Sequence, residues 1–362
     1  MANNPDELPS WQRFDVHALE GFALALLRRG GMRTPQAEAT AHVLLEGDLM
    51  GHTTHGLQLL APYLRDIEAG RMCLVGEPDV VADRGNAVTW DGRFLPGPWL
   101  VSRAIDLALE RIAQQSVVTL VIRRAHHIGC LAAYLPRATE RGLVMLLSCS
   151  DPSVGSVAPH GALAGRITPN PLAAGFPTDG EPVLMDISAS TTTNGLVARM
   201  NRADDGQRLP GRWLVDNQGE ASDDPRVMLA TPPGAILPLG GVEQGHKGFA
   251  LGLLVEALTS ALAGHGRADH ETQWGASVFL QLIDPGAFGG CGPFVRETGW
   301  LAQACRDTPV KPGAPRVRLP GERALALRAQ QQRDGVALHP DIMPSLAPWA
   351  ERWQMALPSA LA

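Results

Sequence analysis

Four short polar clusters carry the side chains in this chain that are able to do chemistry: Gly51-His52-Thr53-Thr54-His55-Gly56, His126-His127-Ile128-Gly129, Ser150-Asp151-Pro152 and Gly245-His246-Lys247-Gly248. They supply imidazoles, hydroxyls, a carboxylate and a lysine. An unperturbed imidazole titrates near about 6.5 and can give or take a proton at working pH. Reduction of a carbonyl by a hydride carrier needs that proton, groups that hold the substrate, and a seat for an anionic cofactor. The H-x-x-H spacing of His52 and His55 would put both rings on one helix face, as metal sites do. The glutamate of the H-E-x-x-H pattern is missing, however, and no ligand spacing in the chain demands a metal. Gly51 and Gly56 instead make the segment a break between helices, from which a side chain can be aimed into a cleft. The stretch Gly240-Gly241-Val242-Glu243-Gln244-Gly245-His246-Lys247 fails the Walker pattern: its lysine comes one place late and no Ser or Thr follows. Glycines and a lysine at a helix start still form an anion seat. Taken singly, each cluster has a plainer account, namely capping threonines, a Ser-Asp-Pro turn or an exposed lysine.

The elements that must position these groups can be read from periodicity. Phe14, Leu19, Phe22, Leu26 and Leu27 fall at helical spacing over 14–30, closed by Gly30-Gly31. Thr34-Pro35 predicts an N-cap and first helical residue for a helix through about Asp48. A third helix is expected from Gly56 to Ala69, ending at Gly70. Val80–Ala82 and Ala87–Trp90 predict a β-hairpin across Asp83-Arg84-Gly85-Asn86. A helix over 98–114, a strand Val117–Ile122, a helix over 130–141 and a doubly buried strand Leu143–Cys149 follow. Strands are expected at 183–187 and 277–283, with a helix over 247–263 between them, and helices again after Pro320-Gly321-Glu322. Residues 151–182 are rich in Pro and Gly and predict a long functional loop. The pattern is α/β in the middle, framed by helical ends that pack together as a discontinuous domain. His126 and His127 then follow a strand directly, where ligand sites gather in α/β folds. One of the two is expected to be structural.

Bulk properties narrow the function. A length of 362 residues suits two domains, and 45% hydrophobic with 19% charged residues suits a soluble globular protein. The net charge of -6, with no basic run, argues against nucleic acid as a partner. Met1–Glu7 lacks a basic start followed by an apolar run, so no secretory signal is expected. Phe249–Ala263 is too short to span a bilayer and carries Glu256, so no membrane partner is expected. Cys73, Cys130, Cys149, Cys291 and Cys305 never form C-x-x-C; they predict buried, reduced thiols in a cytoplasmic protein. No G-x-G-x-x-G occurs, so a Rossmann domain has no support.

The ordered clusters resemble the malate/L-lactate dehydrogenase family, which includes ureidoglycolate, sulfolactate and diketogulonate enzymes and the piperideine-2-carboxylate reductases. The likeness spans about Leu19 to Val336. The pattern D-x-x-G-x-x-S-H-G is met by Asp48, Gly51, Thr54, His55 and Gly56, with threonine for serine, and a downstream tyrosine by Tyr63. His127-Ile128-Gly129 meets H-x-G, Ser150-Asp151-Pro152 matches directly, and Pro169-Asn170-Pro171 stands for T-N-P. Asp186-Ile187-Ser188-Ala189-Ser190, His246-Lys247-Gly248-Phe249 and Pro320-Gly321-Glu322 stand for D-M-A-T-S, H-K-G-Y and P-G-E.

The resemblance implies a homodimeric oxidoreductase using NAD or NADP. It implies a non-Rossmann cofactor domain over 79–319, with a mixed, largely antiparallel sheet, and a helical substrate and dimer domain from 1–78 with 320–362. By this likeness Ser150, Asn170, Asp186, Ile187, Ser188, His246, Lys247, Pro320, Gly321 and Glu322 would contact the dinucleotide. His127 would exchange the substrate proton, His55 and Asp151 would act beside it, and Thr54 and Tyr63 would complete the substrate seat. Many family members carry an arginine four residues after the S-H-G histidine, suited to clamp a carboxylate. Here that residue is Leu59. The expected reaction is therefore interconversion of a 2-oxo and a 2-hydroxy acid that is monocarboxylic or bulkier. The alternatives are reduction of a cyclic imine such as piperideine- or pyrroline-2-carboxylate, a metal-dependent hydrolase built on His52, His55, His126 and His127, and a cofactor-binding protein without turnover.

Overall fold

The computed structural model describes residues 11–203 and 206–361; Met1–Glu7, on which the reading of the N-terminus rests, lie outside them. A short strand β1 (Arg13–Phe14) precedes α1 (Val16–Arg29), α2 (Thr34–Leu49) and α3 (Leu60–Glu68). Next come β2 (Asp79–Asp83), β3 (Ala87–Asp91), α4 (Gly97–Gln115), β4 (Val117–Ala125), a single turn α5 (Pro136–Thr139) and β5 (Val144–Ser150). β6 (Leu172–Phe176), β7 (Val183–Ile187), α6 (Asn194–Ala203) and the short strands β8 (Leu214–Val215), β9 (Ala221–Ser222) and β10 (Ala235–Ile236) follow. The chain closes with α7 (Gly241–Glu256), β11 (Ala276–Ile283), α8 (Cys291–Arg306), α9 (Glu322–Asp334), β12 (Val336–Ala337) and α10 (Ile342–Arg352).

The main sheet has seven strands in the order β2-β3-β4-β11-β5-β6-β7. Only β3 and β4 pair in parallel; every other neighbouring pair is antiparallel. The fold is mixed α/β. Its register decides where the site lies. Ala276 at the start of β11 pairs with Ala125 at the end of β4, and Ser277 pairs with Ser150 at the end of β5. His126-His127, Asp151 and Trp274 therefore leave the sheet at the same end. β6 carries the register on: Leu172 faces Ser148 on one side and Ile187 on the other, so Asp186 ends at that rim too.

Two large cores position the site. One packs α4 against the sheet, with Leu100, Ile105 and Ala108 over Leu120, Ile122, Leu147 and Leu280. The other gathers both ends of the chain: Leu19, Leu26 and Leu27 of α1, Leu44 and Leu45 of α2, Leu60 and Leu64 of α3, and Ile342 and Leu346 of α10. β1 pairs with β12, tying residue 13 to residue 337. Gln331 of α9 adds donors to the carbonyls of Asp48 and Leu49, and Arg328 pairs with Glu46.

Several local expectations need correction. The loop over 151–182 contains β6, whose Leu-Ala-Ala-Gly-Phe lacks the β-branched residues that mark strands. The helix over 130–141 is a 3-10 turn (Leu131–Tyr134) and the single turn α5, because Pro136 cannot donate to a continuing helix. α7 begins at Gly241, six residues before the expected start at 247, and ends in a π-helical turn at Ala257–Ala261. Lys247 accordingly lies in the second turn, not at the helix start. Arg33, not Thr34, is the N-cap of α2, with Pro35 in its first turn. The third helix opens with a 3-10 turn at Leu57–Leu59. α6 and α8 were not anticipated; Gly195 blurs the first, and Gly292, Pro293 and Gly299 the second. The five cysteines are unpaired, but only Cys130 is buried, and Cys291 is exposed.

Candidate active site

A cleft of about 380 Å3 opens at the sheet rim. The end of β4 supplies His127, the end of β5 supplies Cys149, Ser150 and Asp151, and the end of β7 supplies Asp186 and Ser188. The break between α2 and α3 supplies His52, Thr54, His55 and Leu59. Thr193, Asn194 and Gly195 at the start of α6 and Trp274 before β11 complete the wall.

The His52–Leu59 segment is held from three sides. Asp48 at the end of α2 accepts the N–H of Leu57 at 2.6 Å. Gly56 passes so close that a Cβ there would collide with the Asp48 carboxyl. Arg199 of α6 donates to Thr53 Oγ1, the Thr53 carbonyl and Gln58 Oε1. Asp48 is fully enclosed, and burial pushes its pKa up to about 7 against the pull of the Leu57 N–H and Arg199. His55 Nδ1 lies 2.9 Å from Thr54 Oγ1. Burial lowers the His55 pKa to about 4, with Asp186 opposing and His52 and Arg199 adding to the fall.

The two adjacent histidines divide their roles. His126 is buried, and its Nε2 meets Asp66 Oδ2 at 3.0 Å while Arg71 binds the same carboxylate. His127 turns into the cleft, its ring 6.0 Å from that of His55 in a stacked arrangement and 5.0 Å from Trp274. Its Nδ1 lies 2.8 Å from Tyr63 Oη and accepts the Gly129 N–H at 3.2 Å. Tyr63 Oη also lies 3.1 Å from the His127 carbonyl oxygen. An Nδ1 that accepts an N–H leaves the ring proton of the neutral imidazole on Nε2, which faces the cleft. Burial, then His55 and His126, hold the His127 pKa well below its ordinary value.

Beyond β5, Asp151 Oδ1 accepts the Ser153 N–H and hydroxyl at 2.9 and 2.7 Å, and burial raises its pKa. Arg267 clamps this loop from below, donating to the carbonyls of Asp151, Pro152 and Val154 and to Glu256. Glu256 also accepts from Ser150 Oγ at 2.8 Å and Asn170 Nδ2 at 3.0 Å. Asn170, in the left-handed region at φ 46, is wholly buried and spends its remaining groups on Thr168 and the Gly252 carbonyl. Asp186 Oδ2 accepts the Ala132 N–H at 2.9 Å.

Of the residues singled out from sequence, Thr54, His55, His127, Ser150, Asp151, Asn170, Asp186 and Ser188 line this one cleft. Tyr63 stands behind His127. Ile187 is exposed beside the rim. His246 and Lys247 are exposed on α7 and do not line the cleft; His246 lies 5.7 Å, ring to ring, from His160. Pro320, Gly321 and Glu322 pack on β7, where the Pro320 carbonyl accepts the Leu184 N–H and Glu322 pairs with Arg306. Trp274, the Glu256–Arg267 pair and Thr193–Gly195 were not found from sequence. A Thr191-Thr192-Thr193-Asn194 run is a legible helix cap, whereas nothing local marks Trp274 or Arg267.

Residues 14–347 match the sequence pattern of the malate/L-lactate dehydrogenase family. The chain belongs to this family. The L-lactate dehydrogenase of Cupriavidus necator is 30% identical over 331 residues, which are 90% of this chain and 93% of that one. The Δ1-pyrroline-2-carboxylate/Δ1-piperideine-2-carboxylate reductase of Pseudomonas aeruginosa is 28% identical over 347 residues, 91% of this chain and 98% of that one. In fold, the malate dehydrogenase of Pyrococcus horikoshii superposes with a TM-score of 0.85 at 22% identity, covering 99% of this chain and 98% of that one. The protein is thus an oxidoreductase of a family of hydroxy-acid dehydrogenases and reductases, and membership implies a nicotinamide cofactor. The cleft suits a planar ring: Leu131, Cys149, Pro171 and Trp274 offer apolar walls, while Asp151, Asn194 and Asp186 offer polar edges. Among the described residues no helix is long and apolar enough to cross a membrane.

Proposed function

We propose that this dehydrogenase interconverts a 2-oxo acid and its 2-hydroxy acid with NAD or NADP, on a monocarboxylic substrate with an apolar or bulky side chain. The observation that carries the proposal is His127, tied at Nδ1 by Tyr63 and open at Nε2 to the cleft. When bound, the nicotinamide supplies or accepts the hydride. In the reductive direction the His127 imidazolium donates its Nε2 proton to the oxygen that gains charge and keeps the proton on Nδ1; in the oxidative direction this Nδ1–H tautomer, with Nε2 free, takes the proton back. The resting ring, protonated on Nε2, reaches these forms by taking a proton at Nδ1; that Nδ1–H points to Tyr63 Oη, and the tyrosine proton turns to the His127 carbonyl. His55, Thr54 and Asp151 orient the substrate.

The charge of the wall supports the choice of substrate. Among the described residues lining the cleft there is no arginine or lysine. Leu59 occupies the wall where the family resemblance expects an arginine. One carboxylate can still be held by hydrogen-bond donors other than a guanidinium or ammonium: His52, His55, Thr193, Asn194 and the first N–H groups of α6, where the helix dipole favours an anion. A second carboxylate has no cation to meet, which argues against malate.

The cofactor domain of this reading is 79–319 on a largely antiparallel, non-Rossmann sheet, with the helical ends 1–78 and 320–362 forming the substrate side. Ser150, Asn170, Asp186, Ile187 and Ser188 belong to the cofactor's rim; His246, Lys247 and Pro320–Glu322 would reach only its outer end. A homodimer is supported by α7 and the turn after it, where Leu253, Leu254 and Leu262 are each about half exposed, as apolar helix faces awaiting a partner are. Unpaired cysteines support a cytoplasmic setting.

A second reading, reduction of a cyclic imine carboxylate, is favoured by the Pseudomonas aeruginosa relative's name and by Asp151, whose raised pKa would let it protect or protonate a ring nitrogen. The test is a panel of pyruvate-type acids, bulkier 2-oxo acids, oxaloacetate and cyclic imines with NADH and NADPH, followed at the nicotinamide absorbance. Preferential turnover of monocarboxylic 2-oxo acids is expected. Turnover of cyclic imines alone would select the second reading, and oxaloacetate as best substrate would overturn the charge reasoning.

A further inference from the structure

His52, Cys130 and Asp186 come from three separate elements and meet in the cleft. His52 lies in the break before α3, Cys130 in the loop after Gly129, and Asp186 near the end of β7. One ligand atom from each lies within 4.8 Å of the others. Cys130 Sγ already leans on Asp186 Oδ2 at 3.8 Å. Asp186 is fixed by the Ala132 N–H, so the carboxylate is held without using its second oxygen. Thiolate, imidazole and carboxylate are the donors that a borderline-soft ion prefers, and a tetrahedral site of about 2.0–2.3 Å bonds needs them only slightly closer than they stand.

We propose that His52, Cys130 and Asp186 form an inhibitory site for a thiophilic divalent cation, Zn2+ above all, with its fourth position open to the cleft. Binding replaces the thiol proton, which leaves to solvent, by a metal–sulfur bond; no electron is transferred. The ion takes Asp186 out of the rim and, with the thiol proton lost, adds one net positive charge beside the neutral rings of His55 and His127. Substrate and cofactor then meet an occupied cleft. Sequence spacing could not have revealed the site, since its ligands are 78 and 56 residues apart along the chain (52 to 130 and 130 to 186).

The test uses the full chain, stripped of metal and titrated with Co2+ alone. One thiolate-to-cobalt charge-transfer band per chain is expected in the near ultraviolet, displaced by Zn2+. Cys130→Ser should abolish the band, and His52→Gln should weaken Zn2+ affinity about tenfold or more; circular dichroism confirms that both variants are folded. Turnover of the unmodified enzyme should fall with Zn2+ and return with EDTA. Absence of the band in the unmodified protein, or its persistence in Cys130→Ser, overturns the proposal. The spectroscopic readout needs no substrate, so it stands or falls separately from the assigned reaction.

Discussion

Replacing Tyr63 by Phe isolates the proton relay, because it removes one oxygen and leaves the ring that packs against His126 and Trp274. In the neutral state His127 Nδ1 keeps the Gly129 N–H as a partner. In the imidazolium state the same nitrogen carries a proton and confronts that N–H with no acceptor. The loss therefore falls on the forms that carry a proton on Nδ1, the imidazolium above all. A hydrogen bond to a charged group contributes about 1.5–3 kcal/mol, equivalent to roughly a 10- to 150-fold slower proton-dependent step and a fall of about 1–2 units in the His127 pKa. The His127 pKa is already depressed, so the neutral ring, whose Nδ1–H tautomer is the base for oxidation, persists below about 6.5. The acid limb of the oxidative kcat/KM profile should lie below that value and move lower still in Tyr63→Phe. Reduction, which needs the imidazolium, should slow at neutral pH while KM for the cofactor changes little. The assay is kcat and kcat/KM in both directions from pH 5 to 9. Reduction by Tyr63→Phe within twofold of the unmodified enzyme, with an unshifted limb, would refute the relay.

Other perturbations test the scaffold. Gly97→Ala would drive a Cβ into the carbonyl oxygens of His126 and His127; it should cost about 1–3 kcal/mol of stability and reduce kcat more than thermal stability alone explains, as melting and turnover together would reveal. Asp48→Asn removes a carboxyl whose folded pKa of about 7 exceeds its unfolded 3.8. The unmodified protein loses that contribution as pH rises through this window, so the variant's Tm advantage should grow from about pH 4 to 7 and then level; an advantage that shrinks with pH would show the sign to be wrong. Leu59→Arg should raise kcat/KM for a 2-oxo dicarboxylate relative to a monocarboxylate by about tenfold or more, measured with oxaloacetate and pyruvate; no change in that ratio would remove residue 59 from substrate selection.

How much was legible in the sequence follows from range. Periodicity located α1, α2, α4, β4, β5 and β11, because each buries an apolar face that repeats within a few residues. The end-to-end packing of Leu26 with Leu346 was legible as two helical chain ends that needed a common core. β6 escaped because Pro171 and Gly175 bracket a run of alanines, and the sheet's order supplies the pairing that its composition does not. In the cleft, His127 and Asp151 announce themselves by following apolar strands. Arg267 does not: its value comes from reaching the carbonyls of residues 151, 152 and 154, more than a hundred positions back in the chain. Lys247 misled in the opposite way. A lysine among glycines reads as a helix start, yet Gly240 at φ 97 and Gly241 at φ 62 had already begun the helix a turn and a half earlier.

The burial of the histidines at the cleft ties its chemistry to its stability. Burial leads the depression of the His55, His126 and His127 pKa values, and among the described residues no arginine or lysine lines the wall. Unfolded histidines bind protons below about 6.5 while these buried ones resist. Each therefore contributes stability above that pH and loses it as the pH falls toward the folded value, about 4 for His55. On the proposed mechanism reduction asks for the opposite, since acid populates the imidazolium that would donate. A bound substrate carboxylate resolves the conflict locally: its negative charge beside the rings raises their pKa only in the occupied cleft. On that mechanism the proton would be taken up when there is something to reduce, and the empty enzyme would keep its rings neutral and its core intact.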